Sequence, residues 1–108
     1  MKGSNSTFNN AASKSVKTVD STSQVYNARS MPEHGDANSV VQNYRNGSLS
    51  TERYFDEKGI PYLDIDYSNH GNPKMHPIVP HEHDIEIING HIKREKKGRA
   101  IRRWQKTV

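Results

Sequence analysis

The sequence predicts a mainly β protein, an antiparallel meander of three to four strands with a loop rich in proline and histidine. Two turn signals, Asn46-Gly47 and Asp56-Glu57-Lys58-Gly59, separate three short runs rich in β-branched and aromatic residues. A fourth such run ends at Asn89-Gly90. The chain has no cysteine, so neither disulfides nor thiolate metal sites contribute to its stability. A small α+β arrangement is the alternative, because a short helix is predicted near the C-terminus.

Four strands are predicted in order along the chain. Residues 39–45 form the first strand, and Asn-Gly favours a tight hairpin into the second, which covers residues 48–55. A type I turn closed by Gly59 then leads into the third strand, residues 60–67. Pro61 has no N–H group to donate, so this strand should begin at a sheet edge or a bulge. Residues 81–88 form the fourth strand.

Alternation along the third strand assigns its two faces. Leu63, Ile65 and Tyr67 share one face, which is expected to pack in the core. Tyr62, Asp64 and Asp66 share the opposite face, so two carboxylates are expected side by side toward solvent or a cleft.

Composition and charge divide the chain into three segments. Residues 1–37 lack an apolar period and are predicted to be a flexible leader or a partner-docking segment. Residues 38–91 form the β domain, and residues 40–91 carry a net charge of −4. Residues 92–108 form a basic tail of net charge +7, with a short helix predicted from the spacing of Ile101, Trp104 and Val108. No apolar run approaches the ~20 residues that a membrane-spanning helix needs.

The region from Asp64 to His83 contains four of the six histidines and predicts a functional site. In one interpretation, His81 and His83 lie on the same face of a strand and bind a metal together with His70 or Asp66. Imidazole and carboxylate ligands suit zinc or another divalent metal.

A second interpretation is metal-free cleavage of RNA. A histidine pair would act as general base and acid, a lysine would stabilise the developing negative charge, and an aspartate would orient an imidazole. A third interpretation is structural, with these side chains bonded to the backbone of an irregular loop. The candidate catalytic residues are His70, His76, His81, His83, Asp64, Asp66 and Lys74.

The basic tail predicts binding to DNA or RNA, because its cations can neutralise phosphates while Trp104 stacks on a base. The alternative is a solubilising tail, or one that folds back on the acidic middle segment. The candidate nucleic-acid-binding residues are Lys93, Arg94, Lys96, Lys97, Arg99, Arg102, Arg103, Trp104 and Lys106.

The motifs of residues 38–83 resemble a small domain of Firmicutes phages and prophages that occurs beside, or fused to, head-morphogenesis (minor head) proteins. A similar module occurs as the C-terminal tip of polymorphic toxins. The resemblance is carried by Glu52-Arg53-Tyr54-Phe55-Asp56-Glu57-Lys58-Gly59, Leu63-Asp64-Ile65-Asp66-Tyr67, His70-Gly71-Asn72-Pro73-Lys74, His76-Pro77 and Pro80-His81-Glu82-His83.

The resemblance implies two different functions. The phage setting implies a non-enzymatic minor structural or head-associated protein, in the virion or the host cytoplasm, whose leader binds other virion proteins. The toxin setting implies a ribonuclease effector that uses the His/Asp cluster. Both remain open at the level of the sequence.

Overall fold

The computed structural model describes residues 17–67, 80–96 and 98–100, and this part of the chain is all-β. Six strands follow one another across a single sheet, and a seventh pairs with the fifth. The predicted fold class is confirmed, whereas the predicted number of three to four strands was too small. No helix that could span a membrane occurs among these residues. The strands are β1 (Ser21–Tyr26), β2 (Ser39–Arg45), β3 (Ser48–Phe55), β4 (Pro61–Asp66), β5 (His81–Ile88), β6 (His91–Arg94) and β7 (Arg99–Ala100).

Both predicted turns between β2, β3 and β4 are confirmed. Asn46 and Gly47 have φ angles of 52° and 84°, as a two-residue type I′ hairpin requires. In the next turn, the Gly59 N–H donates to the Asp56 carbonyl at 2.9 Å, and Gly59 has a φ of 75°.

The predicted irregularity at Pro61 is also present. Tyr54 of β3 pairs with Leu63, but the next residue, Phe55, pairs with Pro61. The additional residue of β4 at this point makes a bulge, which allows a residue without an N–H group to begin the strand.

The sheet starts earlier in the chain than the sequence indicated. β1 lies within residues 1–37 and pairs in parallel with β2, from Ser21 opposite Ser39 to Tyr26 opposite Tyr44. Most of its side chains are polar and exposed, so its sequence shows no apolar alternation. Backbone hydrogen bonds to β2 hold it in place, and it forms one edge of the sheet.

The start of the basic segment also belongs to the sheet. Asn89-Gly90 forms a second type I′ turn, with φ angles of 52° and 78°, and leads into β6. β6 pairs with the second half of β5, and β7 pairs with His81 and Glu82 at its beginning. β6 and β7 therefore pair with two successive parts of the same edge of β5. The predicted helix is replaced by β7 at residues 99–100, and residues 101–108 lie outside the described part.

The two faces of β4 differ in character, but both are buried. The apolar face carries Leu63 and Ile65, which pack with Val40 and Tyr54 in the core, and Tyr67 packs against the same cluster, as predicted. Tyr62, predicted on the opposite face, also belongs to the core, because it is the additional residue of the bulge beside Pro61. Asp64 and Asp66 are 1% and 0% exposed. The expectation that they face solvent was wrong, because arginine side chains and residues 28–32 cover this face, whereas both line a cavity there, as the cleft alternative predicted.

Candidate metal centre

The buried face opposite the apolar core is polar and draws on four adjacent strands. Strand register places Arg53 opposite Asp64, and Asp64 in turn opposite His83. It also places Asp66 opposite His81. Because side chains alternate along a strand, residues two apart on β3, β4 and β5 lie on the same side. The side chains of this polar face are Thr51, Arg53, Asp64, Asp66, His81, His83 and Arg94.

Three of these side chains, Asp66, His81 and His83, form a compact group of potential metal ligands. The Nε2 atoms of His81 and His83 lie 3.4 Å and 3.2 Å from the same oxygen, Asp66 Oδ2. The two rings meet edge to face with centroids 4.9 Å apart. One ligand atom from each residue lies within 4.8 Å of the others, and all three residues are buried. This Asp–His–His group could hold a metal ion.

The orientation of the His83 ring turns its Nε2 atom toward Asp66. His83 Nδ1 is 2.6 Å from the carbonyl oxygen of Glu95. A carbonyl oxygen only accepts hydrogen bonds, so Nδ1 carries a proton. In the neutral ring, Nε2 then presents a lone pair toward the Asp66 carboxylate. Two acceptors face each other unless a proton or a metal ion lies between them.

The distances within the group match those between the ligands of one small ion. Zinc bonds to imidazole nitrogen and carboxylate oxygen are ~2.0–2.1 Å long, so tetrahedral ligands are separated by about 3.3–3.4 Å. The two contacts to Asp66 Oδ2 are 3.4 Å and 3.2 Å. Ordinary N–H···O hydrogen bonds are shorter, at about 2.9–3.0 Å. The two contacts to Asp66 Oδ2 are therefore compatible with a coordination shell.

Glu95 and Gly98, which lie between β6 and β7, contact the two histidines. The Glu95 carbonyl accepts from His83, and the Glu95 N–H donates to the Asp84 carbonyl at 2.9 Å. A side chain on Gly98 would overlap the ring of His81. Glu95 thus holds one imidazole by a hydrogen bond, and Gly98 lies directly against the other.

Two arginines neutralise the carboxylates of the polar face. Arg53 donates to Asp64 from Nε at 2.7 Å and from Nη2 at 2.9 Å. Arg94 donates from Nε to Asp64 at 2.8 Å and from Nη2 to Asp66 at 2.6 Å. Both oxygens of Asp64 are engaged by arginine, and Asp66 Oδ2, which faces the two imidazoles, also accepts from Arg94 Nη2. The second oxygen of Asp66 accepts from the Thr51 hydroxyl at 3.0 Å.

The electrostatics of Arg94 reflect this position. Burial lowers the pKa of its guanidinium, but the nearby charges of Asp64 and Asp66 outweigh burial, and the net effect is to raise that pKa. Arg94 therefore remains a fixed positive charge beside the Asp–His–His group.

The predicted metal ligands His81 and His83 are brought together, with Asp66 as the third group. The other candidate for that position, His70, lies outside the described residues, as do the predicted catalytic residues Lys74 and His76. The structural interpretation accounts for one contact, between His83 Nδ1 and the Glu95 backbone.

The predicted nucleic-acid-binding residues have different surroundings. Lys93 and Lys96 are exposed, whereas Arg94 is bound to Asp64 and Asp66. Arg94 was expected to bind phosphate as part of a free tail. Instead it belongs to β6, which places it beside two buried carboxylates. Arg99 is described only through its backbone. Lys97, Arg102, Arg103, Trp104 and Lys106 lie outside the described residues.

The buried role of Arg53 was missed from the sequence. Register could have indicated it only together with the bulge beside Pro61, since Arg53 faces Asp64 after the one-residue shift between Tyr54 and Phe55.

Searched against family models, curated proteins and solved structures, the chain has no match.

Proposed function

We propose that this β domain binds one divalent transition-metal ion, with Zn²⁺ as its first candidate, through Asp66 Oδ2, His81 Nε2 and His83 Nε2. The observation that carries the proposal is the His83 ring. Its Nδ1 donates to the Glu95 carbonyl, which turns the Nε2 lone pair toward a carboxylate oxygen 3.2 Å away. A metal ion at this point turns a repulsion between two acceptors into two coordinate bonds.

The surroundings supply the outer contacts that metal ligands need. A metal-binding histidine usually donates its other ring nitrogen to a carbonyl or carboxylate, which fixes the tautomer and the ring orientation. The Glu95 carbonyl takes this part for His83. Asp66 is held by two donors: Thr51 donates to Oδ1, and Arg94 donates to Oδ2, the proposed ligand oxygen.

The donor set limits the choice of ion. Two imidazoles and one carboxylate suit Zn²⁺ and also occur with Fe²⁺, whereas Mg²⁺ and Ca²⁺ prefer oxygen ligands alone. Three protein ligands leave a fourth position on a tetrahedral ion, for a further side chain, a water molecule or a ligand.

A bound ion would crosslink strands β4 and β5 at the polar face. Asp66 and His81 are direct neighbours across the two strands. The proposed role is therefore at least metal-dependent stabilisation of this half of the sheet, because binding energy for the folded form adds to folding stability.

Metal-free acid–base catalysis by His81 and His83 has weaker support. The two residues are 1% and 0% exposed, so an RNA phosphodiester could reach them only after their covering had moved. The head-associated role and the ribonuclease alternative stay predictions.

The test is isothermal titration of the chelator-treated full chain with Zn²⁺ and Fe²⁺ under anaerobic conditions. We expect one ion per chain, and a loss of binding of at least a hundredfold in His81→Ala and His83→Ala. Co²⁺ in place of Zn²⁺ reports the ligands by its visible spectrum, which should change in Asp66→Asn. The matched control is His91→Ala, since His91 is an exposed histidine of the neighbouring strand.

Two results would refute the proposal. One is the absence of stoichiometric binding by chain that circular dichroism shows to be folded. The other is an equal loss of affinity in His91→Ala, which would place binding at surface imidazoles.

A further inference from the structure

A cavity of about 280 Å³ lies between residues 28–31 and the polar face of the sheet. Asp64 and Asp66 line it from β4, so it borders the Asp–His–His group without including either imidazole. Arg29, Ser30 and Arg45 are exposed lining residues and mark its opening to solvent.

The lining of this cavity has an excess of positive charge, although the β domain as a whole is acidic. It contains four arginines and two aspartates, which gives a formal net charge of +2. None of its cations is a lysine. Guanidinium groups present several N–H donors in one plane and bind phosphate or carboxylate oxygens in pairs.

Some of these donors remain available to a ligand. Arg94 uses its Nε and Nη2 atoms on the aspartates, and one third of its side chain is exposed. A guanidinium has five N–H groups, so Arg94 keeps further donors beyond those two contacts. Arg45 donates to the Ala28 carbonyl at 2.6 Å and so holds the covering segment at the rim of the cavity.

We propose that this cavity binds a small phosphate monoester dianion, of which inorganic phosphate is the simplest member. A dianion balances the +2 charge of the lining, whereas a carboxylate or a phosphodiester brings a single negative charge. The limited volume and the cover formed by residues 28–31 favour a small ligand over a nucleic-acid chain. The proposal does not depend on the metal, because the +2 charge comes from protein side chains alone.

The contacts of the arginines give them different roles in the site. Arg53 donates from Nε and Nη2 to Asp64 and from Nη1 to the Pro32 carbonyl at 3.0 Å, so it forms part of the cavity wall. Arg29 and Arg45 are the cations that a ligand meets first, and Arg94 lies deeper, beside the carboxylates.

The test is titration of chelator-treated, metal-free chain with inorganic phosphate at low ionic strength, followed by ³¹P NMR. We expect saturable binding of one phosphate. Arg29→Gln and Arg45→Gln each remove a charged hydrogen-bond donor, so each should weaken binding roughly 10–150-fold. Lys93→Gln is the matched control, because it removes the same charge from exposed β6 beside Arg94 and lines no part of the cavity.

Three results would overturn the proposal: no saturable phosphate binding by folded protein, an equal loss in Lys93→Gln, or tighter binding of a single-stranded oligonucleotide than of phosphate. Zinc titration of the same Arg29→Gln and Arg45→Gln variants keeps the two proposals separate. Neither residue belongs to the Asp–His–His group, so their zinc affinity should equal that of the wild type whether or not phosphate binds.

Discussion

His83 and Glu95 are joined by a hydrogen bond of 2.6 Å between a ring nitrogen and a backbone carbonyl. The bond links strand β5 to Glu95, which directly follows β6. It also determines which ring nitrogen faces Asp66, and so the backbone of Glu95 orients a side chain of the buried group.

The first prediction concerns the protonation of this ring. With Zn²⁺ bound, His83 should be the neutral Nδ1–H tautomer, since Nε2 then holds the metal. Without metal, Nδ1 should keep its proton, because the Glu95 carbonyl still accepts from it. Long-range ¹H–¹⁵N correlation spectra show which ring nitrogen carries the proton. A neutral Nε2–H tautomer of His83 in either state would contradict the bond to Glu95, and exposed His91 serves as the internal reference.

The second prediction concerns Gly98. A methyl group at this position would overlap the His81 ring, which is buried and has little room to move. Gly98→Ala should therefore displace one imidazole and lower zinc affinity by about 10–100-fold, the usual effect of disturbing the surroundings of a metal ligand. The measurement is competitive titration against a chromogenic chelator.

The matched control for Gly98 is Gly90→Ala. A methyl group there meets nothing within 4 Å, although its φ of 78° makes the substitution mildly destabilising. It should lower stability slightly and leave zinc affinity unchanged. Equal zinc affinities of Gly98→Ala and the wild type would show that His81 is not positioned by this contact.

The third prediction concerns Asp64, which accepts hydrogen bonds from two arginines. In Asp64→Asn the side chain keeps its size but loses its charge, and Arg53 is left in a buried site without a counterion. We expect the free energy of unfolding to fall by about 3–5 kcal/mol. Denaturant unfolding measures it, with Glu57→Gln in the exposed turn as the control for loss of a negative charge. A difference below about 1 kcal/mol between the two variants would show that the pair contributes little.

The pH dependence of this network follows from the raised pKa of Arg94. A group whose pKa is higher in the folded state stabilises the fold at every pH below its unfolded pKa, and this contribution disappears only as the pH rises through the folded value. For an arginine, both values lie in the strongly alkaline range. Arg94 should thus contribute a constant stabilisation wherever Asp64 and Asp66 carry their charges, which includes the neutral range.

The central hairpins could be predicted from the sequence because their signals are local. Asn-Gly at residues 46–47 requires two positive φ angles in succession, and few other residue pairs accept them at low cost. The same signal at residues 89–90 also makes a hairpin, but the strand after it contains His91, Lys93 and Arg94 and was assigned to a basic tail. The positive charge of residues 92–94 favoured the prediction of a tail, but these residues belong to β6, whose Arg94 binds Asp64 and Asp66 on β4.

β1 and the burial of Asp64 could not be predicted from local pattern. β1 is polar and pairs in parallel with β2, which follows it after the connection 27–38. It is a strand because it pairs with β2, and its own residues carry no strand pattern. The burial of Asp64 depends on Arg53 and Arg94, which arrive from strands on both sides. Alternation assigns a side chain to a face, but only the tertiary structure shows what covers that face.

The last prediction compares two turn glycines that share a positive φ but differ in their surroundings. Gly47 has a φ of 84° and open space where a methyl group would lie, so Gly47→Ala should cost only the strain of a left-handed backbone, about 1–2 kcal/mol. At Gly59, with a φ of 75°, a methyl group would overlap the backbone carbonyl of Gly35, whose own N–H donates to the Gly59 carbonyl at 3.1 Å. Gly59→Ala must therefore also separate two backbone segments and break that bond, for a total of about 3 kcal/mol or more. Thermal and denaturant unfolding of the two variants measure the difference, and equal losses of stability would mean that residues 35 and 59 are not held in contact.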